Sequence, residues 1–270
     1  CDGTLIGGNT VVSNTASTTG YGEGGGIYLS YSGDVLVAGN TIMSNTAGAD
    51  RDSRGGGLYL EYSNTGPHYH IVGNTIRGNS AAADGQGHGG GVYLFYSDAI
   101  LDSNLILGNR ATYGGGVTLD NSAFLMSNNI IAQNSPIGVR TWASPGPSRG
   151  LLVNNTIAQN ESAGVYLFQN STLTLINNII ASQTTGIGAN PAHTNTVVAE
   201  YTLFYGNTRD TEGSVITNTH AITGRDPLFL DPAGGNYHLR AGSPAVDAGI
   251  AVCGLTWDID GDPRPLGTGY

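Results

Sequence analysis

The strongest constraint on this chain is its self-similarity. A motif of the form Asn-Thr-Ile-x-x-Asn, varied internally, runs over residues 9–14, 40–45, 74–79, 104–109, 129–134 and 155–160, with a looser copy at 178–183 and a last one ending at Asn207. Successive copies start 31, 34, 30, 25, 26 and 23 residues apart, so the period settles in the low twenties. A unit that short cannot bury an apolar face alone, and a chain of such units gains a core only by stacking them.

Two further features keep pace with the first. Gly-Gly-Gly-aliphatic-Tyr-Leu occupies 24–29, 55–60, 89–94 and 114–119, with Thr118 in the Tyr position, and degenerates at 164–167. Apolar runs follow at 35–37, 71–72, 100–101, 124–126, 151–153, 173–176 and 197–198. Three β-branched-rich segments per repeat, separated by Gly, Asn and Ser, predict three short strands per coil. Composition agrees: 43 of 270 residues are Gly, about 16% against the usual ~7%. At ~1 kcal/mol per interior helix position, such a chain is not a helical bundle.

Alternation within the second motif turns Ile27, Leu58, Val92, Val117, Val139 and Val165 inward with Leu29, Leu60, Leu94 and Leu119, and Tyr28, Tyr59, Tyr93 and Tyr166 outward. The expected fold is all-β: a single-stranded parallel β-helix of about eight coils over residues 1–218, closed by a non-repeating segment, 219–270, packed on the last coils. Asn9, Asn40, Asn74, Asn104, Asn129, Asn155 and Asn178 fall in one turn column, where stacked side-chain amides bond to one another as an asparagine ladder. The Gly triplets read as sharp turns where coils press close, not as a phosphate cradle, because no helix follows them.

These motifs resemble those of the right-handed parallel β-helix repeat proteins of bacterial surfaces, over roughly residues 9–207. The ending resembles the choice-of-anchor Q type of the same group: Asp226-Pro227-Leu228-Phe229, Tyr237-His238-Leu239, Gly-Ser-Pro-Ala-Val-Asp-Ala-Gly at 242–249 and Asp-Ile-Asp-Gly-Asp-Pro-Arg-Pro at 258–265. The resemblance implies right-handed coils and an exported, extracellular or cell-surface protein whose role is structural or adhesive rather than catalytic. Right-handedness also follows the strong bias of parallel crossovers.

Charge narrows the partners. The net charge is −10, all ten cationic side chains are arginine, and no basic run exists to neutralise phosphates, which argues against nucleic acid. No apolar stretch approaches the ~20 residues that span a bilayer, and no charged-then-apolar leader opens the chain.

Candidate sites lie where the chain departs from a minimal repeat. Insertions at 15–23, 46–54 and 80–88 precede the Gly triplets and stack along one edge, as a binding face or as surface decoration. A fourth, at 141–149, holds Trp142, Pro145 and Pro147. Outward positions beyond the Tyr column hold Ser30, Glu61, Phe95, Asp120, Trp142 and Phe168, so Asp120, Arg140 and Trp142 are neighbours on adjacent coils. They form a glycan-binding corner with the Tyr28, Tyr59, Tyr93 column, or else a surface ion pair beside a self-stacking ring column. Glycosidase chemistry needs two carboxylates ~5–9.5 Å apart. Glu61 and Asp120, two coils apart, are separated by ~10 Å at ~4.8 Å per coil, which the geometry does not exclude. Nothing converges on them, however, and with no lysine and one outward arginine the set for a calcium-dependent lyase is incomplete. The expectation is therefore a non-enzyme; a polysaccharide lyase, hydrolase or glycan-binding module is the alternative.

His68 and His70 share a strand face without a third metal ligand. Asp258, Asp260 and Asp262 suit calcium or an Asp-Gly turn, and no other cofactor is required. Cys1 and Cys253 fall toward opposite ends of the stack, ~38 Å apart over about eight coils, too far to pair within one molecule. Head-to-tail assembly into a filament, with an intermolecular disulfide, would unite them. Free thiols in a fragment, or a lipid-bearing Cys1, are the alternatives.

Overall fold

The computed structural model describes residues 3–49, 52–62, 69–82, 87–143, 146–213 and 216–265; Cys1 and His68 lie outside them. Among these residues there is no helix, and so none long and apolar enough to cross a membrane. Three parallel sheets run the length of the solenoid. The first has nine strands, Leu5–Gly7 to Ile216–Thr219; the second nine, Thr10–Val12 to Ile222–Thr223; the third eight, Ile27–Ser30 to Arg209–Glu212. Repeat pairing thus continues to Thr223, slightly past the expected boundary at 218.

Each strand pairs in register with its equivalent one coil on, which places Val92 between Leu58 and Val117. Stacking therefore converts sequence periodicity directly into a core. Leu58, Val92, Val117, Val139, Val165 and Ile187 are fully buried against Ile42, Ile76, Ile106, Ile131, Ile157 and Ile180 of the second sheet. Each such side chain contributes about 1.5–3 kcal/mol. Ile27 and Leu29, in the first coil, are only partly buried.

Each corner of a coil uses one left-handed residue followed by one polar residue that bonds along the axis. After the first sheet, Gly39, Gly73, Ser103, Asn128, Asn154 and Asn177 have φ between 55° and 62°. The asparagine that follows joins a ladder. Asn104 Oδ1 accepts both the backbone and side-chain N–H groups of Asn74, at 2.9 and 3.0 Å, while Asn104 Nδ2 donates to Ile71 O at 2.7 Å and Asn129 Oδ1 at 3.0 Å. A second ladder occupies the other end of the same motif: Asn14, Asn45, Asn79, Asn109, Asn134, Asn160, Gln183 and Asn207. A shorter serine series turns the third corner, where the Ser97 and Ser122 amides donate to Ser122 Oγ and Ser148 Oγ. The Gly triplets are where coils come closest: a Cβ on Gly56 would lie 2.4 Å from the Gly90 carbonyl oxygen.

Two features differ from the sequence reading. The insertions at 46–54 and 80–88 begin as strands, Thr46–Gly48 and Ser80–Ala82, which pair as a small parallel sheet that Thr15 joins by a bridge. The C-terminal segment extends beyond the last coils, folding back along the outside of the second sheet against residues from Tyr205 in a late coil to Leu105 in a middle one. Its antiparallel strands Phe229–Asp231 and Asn236–Leu239 bury Tyr237 against Leu107, Ile130, Ala132, Ala158 and Ala181. The reason is the outward column of that sheet. It holds Thr10, Val12, Thr41, Met43, Thr75 and Arg77 in the early strands and, apart from Thr156, apolar residues from Leu105 to Ala181 in the later ones, so the tail covers the more apolar part.

Corner side chains then hold the tail. Tyr237 donates to Gln159 Oε1 at 2.7 Å, Gln133 donates to Pro232 O at 2.9 Å, and Asn177 exchanges two bonds with Ile250. Asn128 bonds to Trp257 O and Arg264. Cys253 is an exposed free thiol between Ile250 and Trp257, and so lies alongside the middle coils rather than at the far end, which corrects the premise of the end-to-end separation.

Candidate functional site

The outer face of the third sheet collects aromatic and charged side chains in parallel columns. One column is in strand register: Tyr28, Tyr59, Tyr93, Thr118, Arg140 and Tyr166. Two residues on lies Ser30, Glu61, Phe95, Asp120 and Trp142. On the other side stand Glu23, Arg54, His88 and Tyr113, each immediately before a Gly triplet and bridged coil to coil. Arg54, His88 and Tyr113 were not singled out from the sequence, although their fixed place before the triplet is a legible signal that they stack.

Stacked rings define the face. Tyr28, Tyr59 and Tyr93 follow one another at 5.1 and 5.3 Å between centroids, and Tyr31, Tyr62 and Tyr96 at 4.6 and 6.1 Å. Trp142 and Phe168 stack at 4.7 Å with planes 16° apart. The expected open tyrosine surface is corrected, however. Tyr28 is 43% exposed, but Tyr59 is fully buried and Tyr93 is 2% exposed, because the residues before the triplets pack over them. The open rings are instead Tyr31, 74% exposed, with the half-buried Tyr62, Tyr96, Trp142 and Phe168.

Arg140 also departs from expectation. It is not half of a surface ion pair with Asp120 but is buried, with no ion pair between the two among the described residues. Its guanidinium sits 4.8–5.2 Å from the ring centroids of Tyr113, Trp142 and Phe168, and Arg54 is caged likewise by Tyr21, Tyr93 and Phe95 at 5.4–6.0 Å. Burial lowers the Arg140 pKa to about 10. His88 lies between the two arginines, its ring 5.2 Å from Tyr113 and 5.9 Å from Tyr93. Burial, then the charges of Arg140 and Arg54, lower its pKa to about 4, so the ring is neutral at physiological pH.

The two carboxylates have different surroundings. Asp120 accepts from the Tyr93 hydroxyl at 3.0 Å and the Asn121 amide at 2.7 Å, and burial raises its pKa to about 6. Glu61 is buried and fully engaged by the hydroxyls of Tyr28, Ser30 and Tyr59. One strand separates them, with Phe95 in register between.

The remaining candidates lie elsewhere. Asp258, Asp260 and Asp262 form a turn in the tail: Asp258 Oδ1 accepts the amides of Asp260 and Asp262, and the Asp260 carboxylate meets His238 Nε2 at 2.8 Å. Among the described residues no three His, Cys, Asp or Glu side chains are grouped to hold a metal. His70 stands in the outward column of the first sheet, in register between Leu36 and Ile100.

A family model described as the right handed beta helix region matches residues 2–123 and 90–250. No curated protein matches the chain. Among solved structures, the periplasmic alginate epimerase AlgG is similar in fold, with a TM-score of 0.55 and 17% identity over 73% of this chain. The match covers 46% of that protein, so the chain spans less than half its length.

Proposed function

Because the chain belongs to the right-handed β-helix family, we propose that it is an exported, non-catalytic protein that binds glycans on the outer face of its third sheet. The observation that carries this reading is the set of partly exposed stacked rings, Trp142 with Phe168 and Tyr31 with Tyr62 and Tyr96, running along the solenoid axis. Flat rings repeating every coil offer apolar faces to successive sugar rings of an extended chain, and the hydroxyls at their edges offer hydrogen bonds.

Binding is favoured over cleavage by the carboxylates. Glu61 is locked by three hydroxyls, Asp120 is engaged by Tyr93 and Asn121, and Phe95 stands in register between the two carboxylates. The name of the periplasmic neighbour fits an exported, carbohydrate-handling protein, and the tail motifs fit attachment at a bacterial surface. Screening the purified protein on a glycan array, with turnover assays on every ligand retained, tests the proposal. The expected result is selective retention without bond cleavage, weakened about tenfold by Trp142→Ala, as loss of one stacked ring implies. Retention of nothing would leave a purely structural role, and cleavage would make it an enzyme.

A further inference from the structure

The outer face of the first sheet carries a stripe of apolar side chains along the whole solenoid. Its central outward column holds Leu5, Leu36, Ile100, Leu125, Leu151 and Val198, with His70 and Thr174 interposed and Thr217 at the end. Leu5 is 64% and Leu36 38% exposed, and the rest of the column is at least partly exposed. The tail that covers the apolar column of the second sheet reaches only the edge of this one, where Asn128 donates to Trp257 O at 3.2 Å and Asn177 to Ile250 O at 2.8 Å. A continuous apolar stripe with polar rims is the anatomy of an interaction surface.

Period, area and charge together name the occupant. A flat surface that repeats every ~4.8 Å is matched ridge to groove by another of the same period, and a second copy of this chain supplies one. Nine strands make the face about 38 Å long, and five residues make it about 17 Å wide, so pairing two such faces buries on the order of 1,300 Å², above the ~1,000 Å² a specific interface needs.

A two-fold axis can bring two such faces together in two ways. With the solenoids parallel, each coil meets itself and opposite rims meet, which sets Asp98 against Asp102. With the solenoids antiparallel about Leu125, in the middle strand of the nine, like rims meet. Asp98 then lies opposite the partner's Arg149, Ile100 opposite Leu151, Leu36 opposite Val198 and Val72 opposite Ile176. Like charges disfavour the first arrangement and opposite charges favour the second. We propose that two copies of this chain pair through their first sheets, antiparallel about a two-fold axis at Leu125. Such a pair is closed, and it leaves the outer face of the third sheet open on both copies.

Sedimentation equilibrium of the full chain tests this. At about 20 µM the mass should be twice the 27.7 kDa of one chain. Leu125→Glu sets two carboxylates against each other at the axis and should weaken association at least about a hundredfold. Arg149→Glu, at an exposed position that reads association even where Leu125→Glu does not fold, should weaken it about tenfold. Adding Asp98→Arg to Arg149→Glu should restore it to within about threefold. Four results would each overturn the pairing: a monomer at every concentration, growth beyond a dimer, a dimer that survives in folded Leu125→Glu, or one indifferent to Arg149→Glu. Failure of a folded double variant to recover would overturn the antiparallel register.

Discussion

On the second sheet the outward residues Leu107, Ile130, Ala132, Ala158 and Ala181 lie under Tyr237 of the tail, with Phe229 packed alongside. On the third sheet Tyr59, Tyr93 and Arg140 lie under other rings and charges. Both faces belong to one solenoid and repeat with one period, yet they are covered by opposite chemistry. The tail buries apolar surface and satisfies its polar atoms through Gln133, Gln159 and Asn177. The other face leaves Arg54 Nε and Arg140 Nη1 buried and unpaired. A covering that only stabilises has no need of such atoms, so the contrast separates a face whose docked polar atoms are paired from one that holds cations with unpaired N–H groups.

The largest effect that sharpens this contrast is expected from Tyr237→Ala. The ring is 3% exposed and holds the tail by packing and by its bond to Gln159, so its loss should cost about 3 kcal/mol. Denaturant titration measures the loss, and limited proteolysis should show the tail released first. An unchanged midpoint with a protected tail would erase the distinction between the faces.

A smaller effect of opposite character is expected from Arg140→Met, which replaces a buried, incompletely bonded cation with an apolar chain of similar length. Stability should stay level or rise by about 1 kcal/mol. A loss as large as that of Tyr237→Ala would make Arg140 a structural clamp like the tail.

The smallest expected effect is in pH dependence. His88 has its pKa lowered from 6.5 to about 4, so the stability its neutral form contributes is complete above about 6.5 and is lost as pH falls toward 4. Asp120, raised from 3.8 to about 6, works the other way: its contribution is present below 3.8 and lost as pH rises through 6. His88→Gln should therefore flatten the acid side of a melting-temperature profile, and Tyr237→Ala should leave that slope unchanged. A wild-type slope in His88→Gln would remove His88 from this account.

Two signals for these faces stand in the sequence. At the two corners flanking the second sheet, the left-handed residue is Gly or Ser in the early coils, as at Gly39, Gly73 and Gly78, and Asn or Gln in the fifth and sixth, as at Asn128, Gln133, Asn154 and Gln159, with Asn177 following in the seventh. The longer side chains appear where the tail docks. The residue before each triplet likewise gave away the Glu23, Arg54, His88, Tyr113 column.

What the sequence determined by itself is everything that follows from translation along the axis: three parallel sheets, the inward column through Val92 and Val117, the Asn104 ladder, and Asp120 beside Trp142. In a stacked repeat the neighbour of a residue is its own equivalent one period away, so spacing alone fixes the contact. The path of the tail and the burial of Tyr59, Tyr93 and Arg140 were decided only by tertiary structure. They depend on segments without a period, the insertions and residues beyond 223, whose positions follow from which outward surface they can cover and not from any register.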